Sequence, residues 1–173
     1  NMKTLKEKLA FPIVKIDLAC GLNQHEKNDD HYIYIDGDNA DGIDIVCDWN
    51  SLPLDDGIAD VVHFSDAIEH IKTWEADITM GEINRIIKVG GIFFGTTPNR
   101  DYILKAAYEG LQDEEWLHRN LYGDGNGFNH THYQTFTKKN LQQFLEKYGF
   151  GEVVFDNIEW WISWTCKKIK NLK

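Results

Sequence analysis

A chain of 173 residues, 42% hydrophobic and 27% charged, suits one globular domain, expected over residues 1–173, burying roughly 70% of its unfolded surface; it is not a disordered tail. The formal net charge of −10 argues against a nucleic-acid substrate, because phosphate backbones are gripped by clustered Lys and Arg, and the basic run at 167–170 reads as a solvated end. No apolar run approaches the roughly 20 residues of a membrane span, and Cys20, Cys47 and Cys166 lack metal-site spacing, so they read as reduced thiols of a cytoplasmic protein.

Asn1 ahead of Met2 reads as a cloning remnant, and residues 3–9 as a short amphipathic helix. Residues 13–18 are the first strand, an apolar, β-favouring run that carries Asp17 and opens into the small-residue turn Ala19-Cys20-Gly21. Residues 22–31 are polar without helical periodicity, so the first crossover is short. The second strand, 32–35, ends at Asp36-Gly37-Asp38, and the third, 43–47, at Asp48. Parallel neighbours usually need a crossover of a dozen or more residues, and 37–42 supply about half of that; an extended return or an irregular sheet edge is expected.

A turn-rich linker at 52–57 leads to the fourth strand, 59–64, whose Val61-Val62 suits a buried centre and which runs on to Ser65-Asp66. Thr73 is expected to cap a helix with Ala76, Met80, Ile83 and Ile87 as its buried stripe, and Gly90-Gly91 to stop it. The fifth strand, 92–97, is cut off by Pro98. Residues 98–136 carry no strand signal and hold two possible helices, 101–108 and 113–121; so long an excursion reads as an inserted lid or substrate segment. Thr137 caps a last helix with Leu141, Phe144, Leu145 and Tyr148 on one face, ending at Gly149. Residues 152–155 and 160–166, around a tight turn at Asp156-Asn157, form an antiparallel pair closing the sheet.

The pattern predicts an α/β fold, a three-layer doubly wound Rossmann-like sheet with shortened first crossovers. Such a sheet gathers its strand ends on one rim, where ligands bind. Here that rim collects Asp17, Asp36 with Asp38, Asp48, and Ser65 with Asp66. An acid ending the second strand is placed to accept from both hydroxyls of a ribose, and Asp36 fits best. A dinucleotide fingerprint needs three spaced glycines ahead of a helix; one glycine, Gly21, and no good helix follow here, which disfavours a nicotinamide cofactor. A nucleoside without phosphates suits the site better, and S-adenosylmethionine, whose sulfonium and ammonium welcome acids, is the natural candidate.

From residues 13 to 150 the chain resembles the class I S-adenosylmethionine-dependent methyltransferases, of the small kind associated with surface-polysaccharide biosynthesis. Residues 16–21, Ile-Asp-Leu-Ala-Cys-Gly, resemble the family's first motif, commonly D-x-G-C-G, with Ala19 in a glycine's place. Tyr32 to Asp36 resembles the strand bearing the ribose acid, and 46–54 the adenine-side motif, where Asp48 would accept from the adenine amino group and Trp49 offer a backbone N–H or a stacking face. Residues 59–71, with Leu-Glu-His replaced by Ile68-Glu69-His70, resemble the fourth strand and its continuation; 85–91 resemble "RVLKPGG", and His132 to Thr137 "HxxxFT". The resemblance implies strand order 3-2-1-4-5-7-6 with strand 7 antiparallel. It also implies Asp17, Ala19, Cys20, Gly21, Asp36, Gly37, Asp48, Trp49 and Ser65 around the cofactor.

Methyl transfer is an in-line displacement, and a hydroxyl acceptor must also lose a proton, which makes His70 and His132, beside the rim, the candidate bases. His63, within a strand, reads as packed core, and His25 and His31 as solvated. His118 and His130, with Trp116, Arg119 and Tyr122, could bind a sugar-like acceptor. A metal site from His130, His132 and Asp124 is not expected, because no third ligand is fixed. The expected function is methyl transfer to a small-molecule or saccharide acceptor at oxygen; the alternative is a catalytically silent cofactor- or partner-binding module.

Overall fold

A computed structural model of the chain describes residues 3–21, 31–124, 130–157 and 159–172; the first crossover, His25 and the loop at 125–129 lie outside them, apart from His31, which ends that crossover. Strands β1 (Lys15–Leu18), β2 (Tyr32–Asp36), β3 (Ile45–Val46), β4 (Ala59–His63), β5 (Ile87–Pro98), β6 (Phe150–Asn157) and β7 (Trp161–Lys168) form one sheet in the order β3-β2-β1-β4-β5-β7-β6. The first five run parallel, and β7 is antiparallel to both β5 and β6. The inner strands bury Ile16, Ile33, Ile35, Val62 and Phe93 completely, because helices cover both faces of a parallel sheet. Strand order reverses between β1 and β4, so a crevice is expected outside their carboxyl ends.

Helix α1 (Leu5–Leu9) starts in a capping box in which the Thr4 side chain accepts from the Glu7 N–H and Glu7 returns the bond. Its Lys8 is buried at 2% exposure, pairing with Asp44 at 2.7 Å and lying over the Tyr34 ring. Asp44 also accepts from the Tyr34 N–H at 2.9 Å. This is how the short 37–42 connection succeeds: β3 shrinks to Ile45–Val46, and the carboxylate supplies an acceptor at an edge the ladder leaves short.

Helix α2 (Ala76–Ile86) buries Ala76, Met80 and Ile83 as expected, but both ends differ from the sequence reading. Glu75, not Thr73, occupies the N-cap, with no side-chain cap bond. The helix ends at Ile86, and Ile87 already pairs with Ala59 as the first residue of β5. Lys168, arriving from β7, donates to the Asn84 and Ile87 carbonyls at 2.6 and 2.7 Å, satisfying acceptors that another helical turn would have used. Gly90-Gly91 therefore forms a bulge inside β5, where pairing shifts from Ala59↔Ile87 to Val61↔Ile92 and Gly90 takes a φ of +87°. Of the expected Val61-Val62 centre of β4, Val62 is fully buried and Val61 half-buried.

Helices α3 (Arg100–Tyr108) and α4 (Glu114–Tyr122) form the helical part of the excursion, which is drawn in by isolated bridges, Asn99↔Phe136 and Gly123↔Thr131, that the sequence did not announce. Helix α5 (Lys138–Lys147) has Thr137 as N-cap in a capping box with Asn140 and buries Leu141 and Leu145. Asp156 and Asn157, expected as a turn, lie within β6 opposite Ser163 and Ile162; the reversal comes later because the strands pair further than their apolar cores suggested.

Candidate active site

The turn after β1 is built for close approach: Ala19 and Gly21 both hold positive φ, +55° and +71°, and a Cβ on Gly21 would meet nothing within 4 Å. Between them Cys20 is buried and its N–H donates to the Ile35 carbonyl of β2 at 3.3 Å. Asp36, at the end of β2, gathers two loops at once: one oxygen accepts from the Gly21 N–H at 2.8 Å and the other from the Asp38 N–H at 3.0 Å. Gly37 follows with ordinary room beside the Cys47 carbonyl. On the next strand out, Asp48 Oδ1 accepts from the Asn50 N–H at 2.7 Å, and Trp49 turns its ring against the edge of Phe64 in the core, 5.7 Å between centroids. Trp49 is thus partly buried packing rather than a free stacking plate.

Toward the centre of the sheet the side chains join into one line. Asp17, 4% exposed, holds His63 Nδ1 at 2.8 Å, and His63 Nε2 meets Ser65 Oγ at 2.6 Å. His63, read from sequence as packed core, instead keeps 23% of its side chain exposed and stacks on Phe94 while linking two expected site residues. A signal for this existed: Asp17 and His63 are register partners across β1 and β4, and His63 and Ser65 are two positions apart. Asp17, Asp36 and Asp48 sit at the ends of three adjacent strands, with Ser65 beyond the end of the fourth.

A second group lies beyond β4, where a 3₁₀ turn (Ile68–His70) meets the returning excursion. The Tyr133 and Gln134 N–H groups both donate to the Glu69 carbonyl, and Gln134 Nε2 to the Ile71 carbonyl. This brings His132 against His70, ring centroids 4.8 Å apart. Each ring donates its Nδ1–H to a backbone carbonyl, His70 to Thr131 at 2.9 Å and His132 to Asn120 at 3.1 Å, which leaves Nε2 with its lone pair. Burial, reinforced by His132 beside it, pushes His70 down to about 4, and burial lowers His132 as well. Glu69, fully buried, takes a bond from the Thr97 hydroxyl at 2.9 Å and is pushed up to about 8 by burial. Glu69 stood in the Ile68-Glu69-His70 stretch that carries the resemblance but was given no role there, because its burial and its bond to Thr97 follow from the fold.

Of the acceptor residues expected on the excursion, His118 and Arg119 line one open hollow with Glu115 and Asp124. His118 and Tyr122 contact each other on exposed α4, and Arg119 pairs with Glu115 at 2.9 Å. His130 faces Asp124 at 3.5 Å on the surface, while His132 turns inward, so these three do not form a cluster.

The residues present suit a nucleoside bearing a cationic sulfur: an acid at the end of β2, a neighbouring acid just beyond β3, and a turn at Gly21 open where a Cβ would project. The chain matches the methyltransferase domain family over residues 2–153. No curated protein is similar to it in sequence. Solved structures are similar in fold. A Thermotoga maritima S-adenosylmethionine-dependent methyltransferase, described as a possible histamine N-methyltransferase, is 17% identical over 89% of this chain and 81% of its own, with a TM-score of 0.63. The Burkholderia thailandensis 1,6-didemethyltoxoflavin-N1-methyltransferase, with bound S-adenosylhomocysteine, is 14% identical over 96% and 75%, with a TM-score of 0.64. Human N-acetylserotonin methyltransferase, in complex with S-adenosylmethionine, is 15% identical over 93% and 48%, with a TM-score of 0.61.

Sheet order and the family match together define a class I S-adenosylmethionine-dependent methyltransferase, with S-adenosylmethionine as its cofactor. The chain belongs to the methyltransferase domain family.

Proposed function

We propose that this methyltransferase acts on a hydroxyl oxygen of a small molecule, with a saccharide or saccharide precursor as acceptor, in the reducing cytoplasm where its thiols remain free. The observation that carries the reading is the pair His70 and His132, each with Nδ1 committed to a carbonyl and Nε2 left to accept.

The cofactor supplies an electrophilic methyl group on a sulfonium. In this reading Asp36 accepts from the ribose hydroxyls, Asp48 takes the adenine amino group on its second oxygen, and the Asp17–His63–Ser65 line faces the methionine end beside Ala19, Cys20, Gly21 and Gly37. Trp49 contributes by holding the Asp48 turn against the core. A hydroxyl attacking in line would become a strongly acidic oxonium as the C–O bond forms and the methyl–sulfur bond breaks, the cofactor leaving as a neutral thioether. A neutral imidazole of low basicity is then sufficient to receive the proton, and His70 or His132 does so. The excursion, residues 98–136, covers the acceptor and excludes water, its base tied to the 3₁₀ turn through Glu69.

The test is transfer of radiolabelled methyl to a panel of sugars, sugar nucleotides and small phenols, beside matched amines. Transfer to hydroxyl acceptors that falls at least tenfold in His132→Asn supports the reading; transfer to amines alone overturns it. Cofactor binding without turnover on any acceptor assigns the chain instead to a silent binding module.

A further inference from the structure

The geometry points to a binding site for one divalent transition-metal cation held by Glu69, His70 and His132. One ligand atom from each of the three lies within 4.8 Å of the others. Ligands at about 2.1 Å around a tetrahedral ion stand roughly 3.4 Å apart, so closure asks for side-chain movements of about an ångström or less.

Three features of the surroundings go beyond proximity. Both imidazoles donate Nδ1–H to main-chain carbonyls, of Thr131 and Asn120, the outer-shell arrangement that fixes ring orientation and tautomer in metal sites. The carboxylate is oriented in the same way by the Thr97 hydroxyl, which occupies one oxygen. The three ligands also come from two segments locked together, because the Tyr133 and Gln134 N–H groups both bond the Glu69 carbonyl. A tie whose only task was to hold the excursion would need the two Nδ1 donors and no more. It has no use for a fully buried carboxylate brought beside both rings, a group whose charge a cation would neutralise.

Two imidazoles and one carboxylate select zinc, manganese, iron or cobalt over magnesium and calcium, which prefer oxygen throughout. Three protein ligands leave at least one coordination position. If the acceptor reacts through oxygen, which rests on the function proposed above, that position is where its hydroxyl would bind and become more acidic; with the cation bound the two imidazoles are its ligands, and this acidification replaces their role as base. The cation site itself stands on the side-chain geometry and does not require that reading.

Cobalt(II) is the probe, titrated into the chelator-stripped full-length chain and followed by its visible ligand-field absorption. The expected result is one strongly absorbing cobalt per chain, with affinity at least about tenfold weaker in Glu69→Gln and in His132→Asn. Both substitutions keep a group for the existing bond, to the Thr97 hydroxyl and to the Asn120 carbonyl respectively, so neither strands its partner. Asp124→Asn, which alters the surface pair with His130 and only a longer-range charge near the rings, should weaken binding far less than either inner variant. No ligand-field band, binding indifferent to both inner variants, or binding lost in Asp124→Asn would overturn the site. Calorimetry with S-adenosylmethionine on the same metal-free samples tests the cofactor reading separately: cofactor binding without cobalt binding rejects the cation alone, and cobalt binding without methyl transfer to oxygen rejects only the acceptor assignment.

Discussion

At the scale of single residues, the site divides into groups whose chemistry is visible in the sequence and groups whose role depends on a partner far along the chain. Asp36 is of the first kind: an acid ending a strand beside a glycine, with both oxygens now placed on the Gly21 and Asp38 N–H groups. On the function proposed above, Asp36→Ala removes a charged acceptor from the ribose, and it also releases the Gly21 turn. Affinity for S-adenosylmethionine should fall by about 1.5–3 kcal/mol, roughly ten- to a hundredfold by calorimetry, and unchanged affinity would remove Asp36 from the site. His63 is of the second kind. Within its strand it looks like packing, and only the β1–β4 register places it between Asp17 and Ser65. Lys168 is similar, a tail lysine by composition, yet 2% exposed and bonded to two carbonyls near the end of α2. Burial holds its ammonium below the ordinary lysine range. Lys168→Met would strand those carbonyls and cost roughly 1–3 kcal/mol in urea unfolding, with the denaturant slope unchanged.

Among the elements, helix α2 and the strand that follows it show where local pattern stops being informative. The apolar stripe was legible because its spacing is a property of the helix itself, but the two ends depend on neighbours. Arg85 explains why the helix closes where it does: its guanidinium reaches the Leu52 and Leu54 carbonyls, Asp56 and Glu82, all within 2.9 Å. Glu82 in turn accepts from the Leu52 N–H at 2.9 Å, so one ion pair fastens the 52–56 linker to α2. The Arg85 guanidinium holds the Glu82 carboxyl below its ordinary value of 4.5. The folded state therefore binds this proton more weakly than the unfolded chain. The contribution is complete above pH about 4.5 and disappears as pH falls through the depressed folded value. Arg85→Lys, which loses the planar fork, should cost about 1–3 kcal/mol at pH 7, and the gap from the unaltered protein should narrow as pH falls toward 3. A gap independent of pH would mean that Glu82 is not the partner that matters. One strand further on, a Cβ at Gly95 would lie 2.0 Å from the Phe64 carbonyl oxygen and 3.1 Å from the Trp164 ring. Gly95→Ala should therefore destabilise by about 3 kcal/mol through separation of β4 from β5, seen as a lowered melting temperature.

Across the whole molecule, the strand order was legible through the family resemblance, and the antiparallel closing pair also from the two apolar runs near the end of the chain, since antiparallel neighbours can be joined by a tight turn. The inward turn of His132 was not, since it follows from two long-range bonds onto the Glu69 carbonyl that no local pattern encodes. The same long-range closure makes one thiol a reporter on the fold. Cys166 lies in β7 opposite Phe93 of β5, 1% exposed, with its Sγ–H directed at the Phe93 carbonyl at 3.3 Å. Burial pushes its thiol up to about 12, so at pH 8 almost none of it is the reactive thiolate. Cys47, half-buried beside the short edge strand, is raised as well but stands where local opening is easier. Exposure of Cys166 requires separation of β5 from β7, and that interface joins the parallel half of the sheet to its antiparallel end. With a thiol-specific reagent at pH 8, Cys47 should be modified in the native protein well before Cys166. The Cys166 rate should rise with urea along the slope measured for global unfolding, because no smaller opening reaches it. A Cys166 rate that is fast in the native state, or that ignores denaturant, would show the antiparallel end opening on its own, with the sheet no longer acting as one cooperative unit.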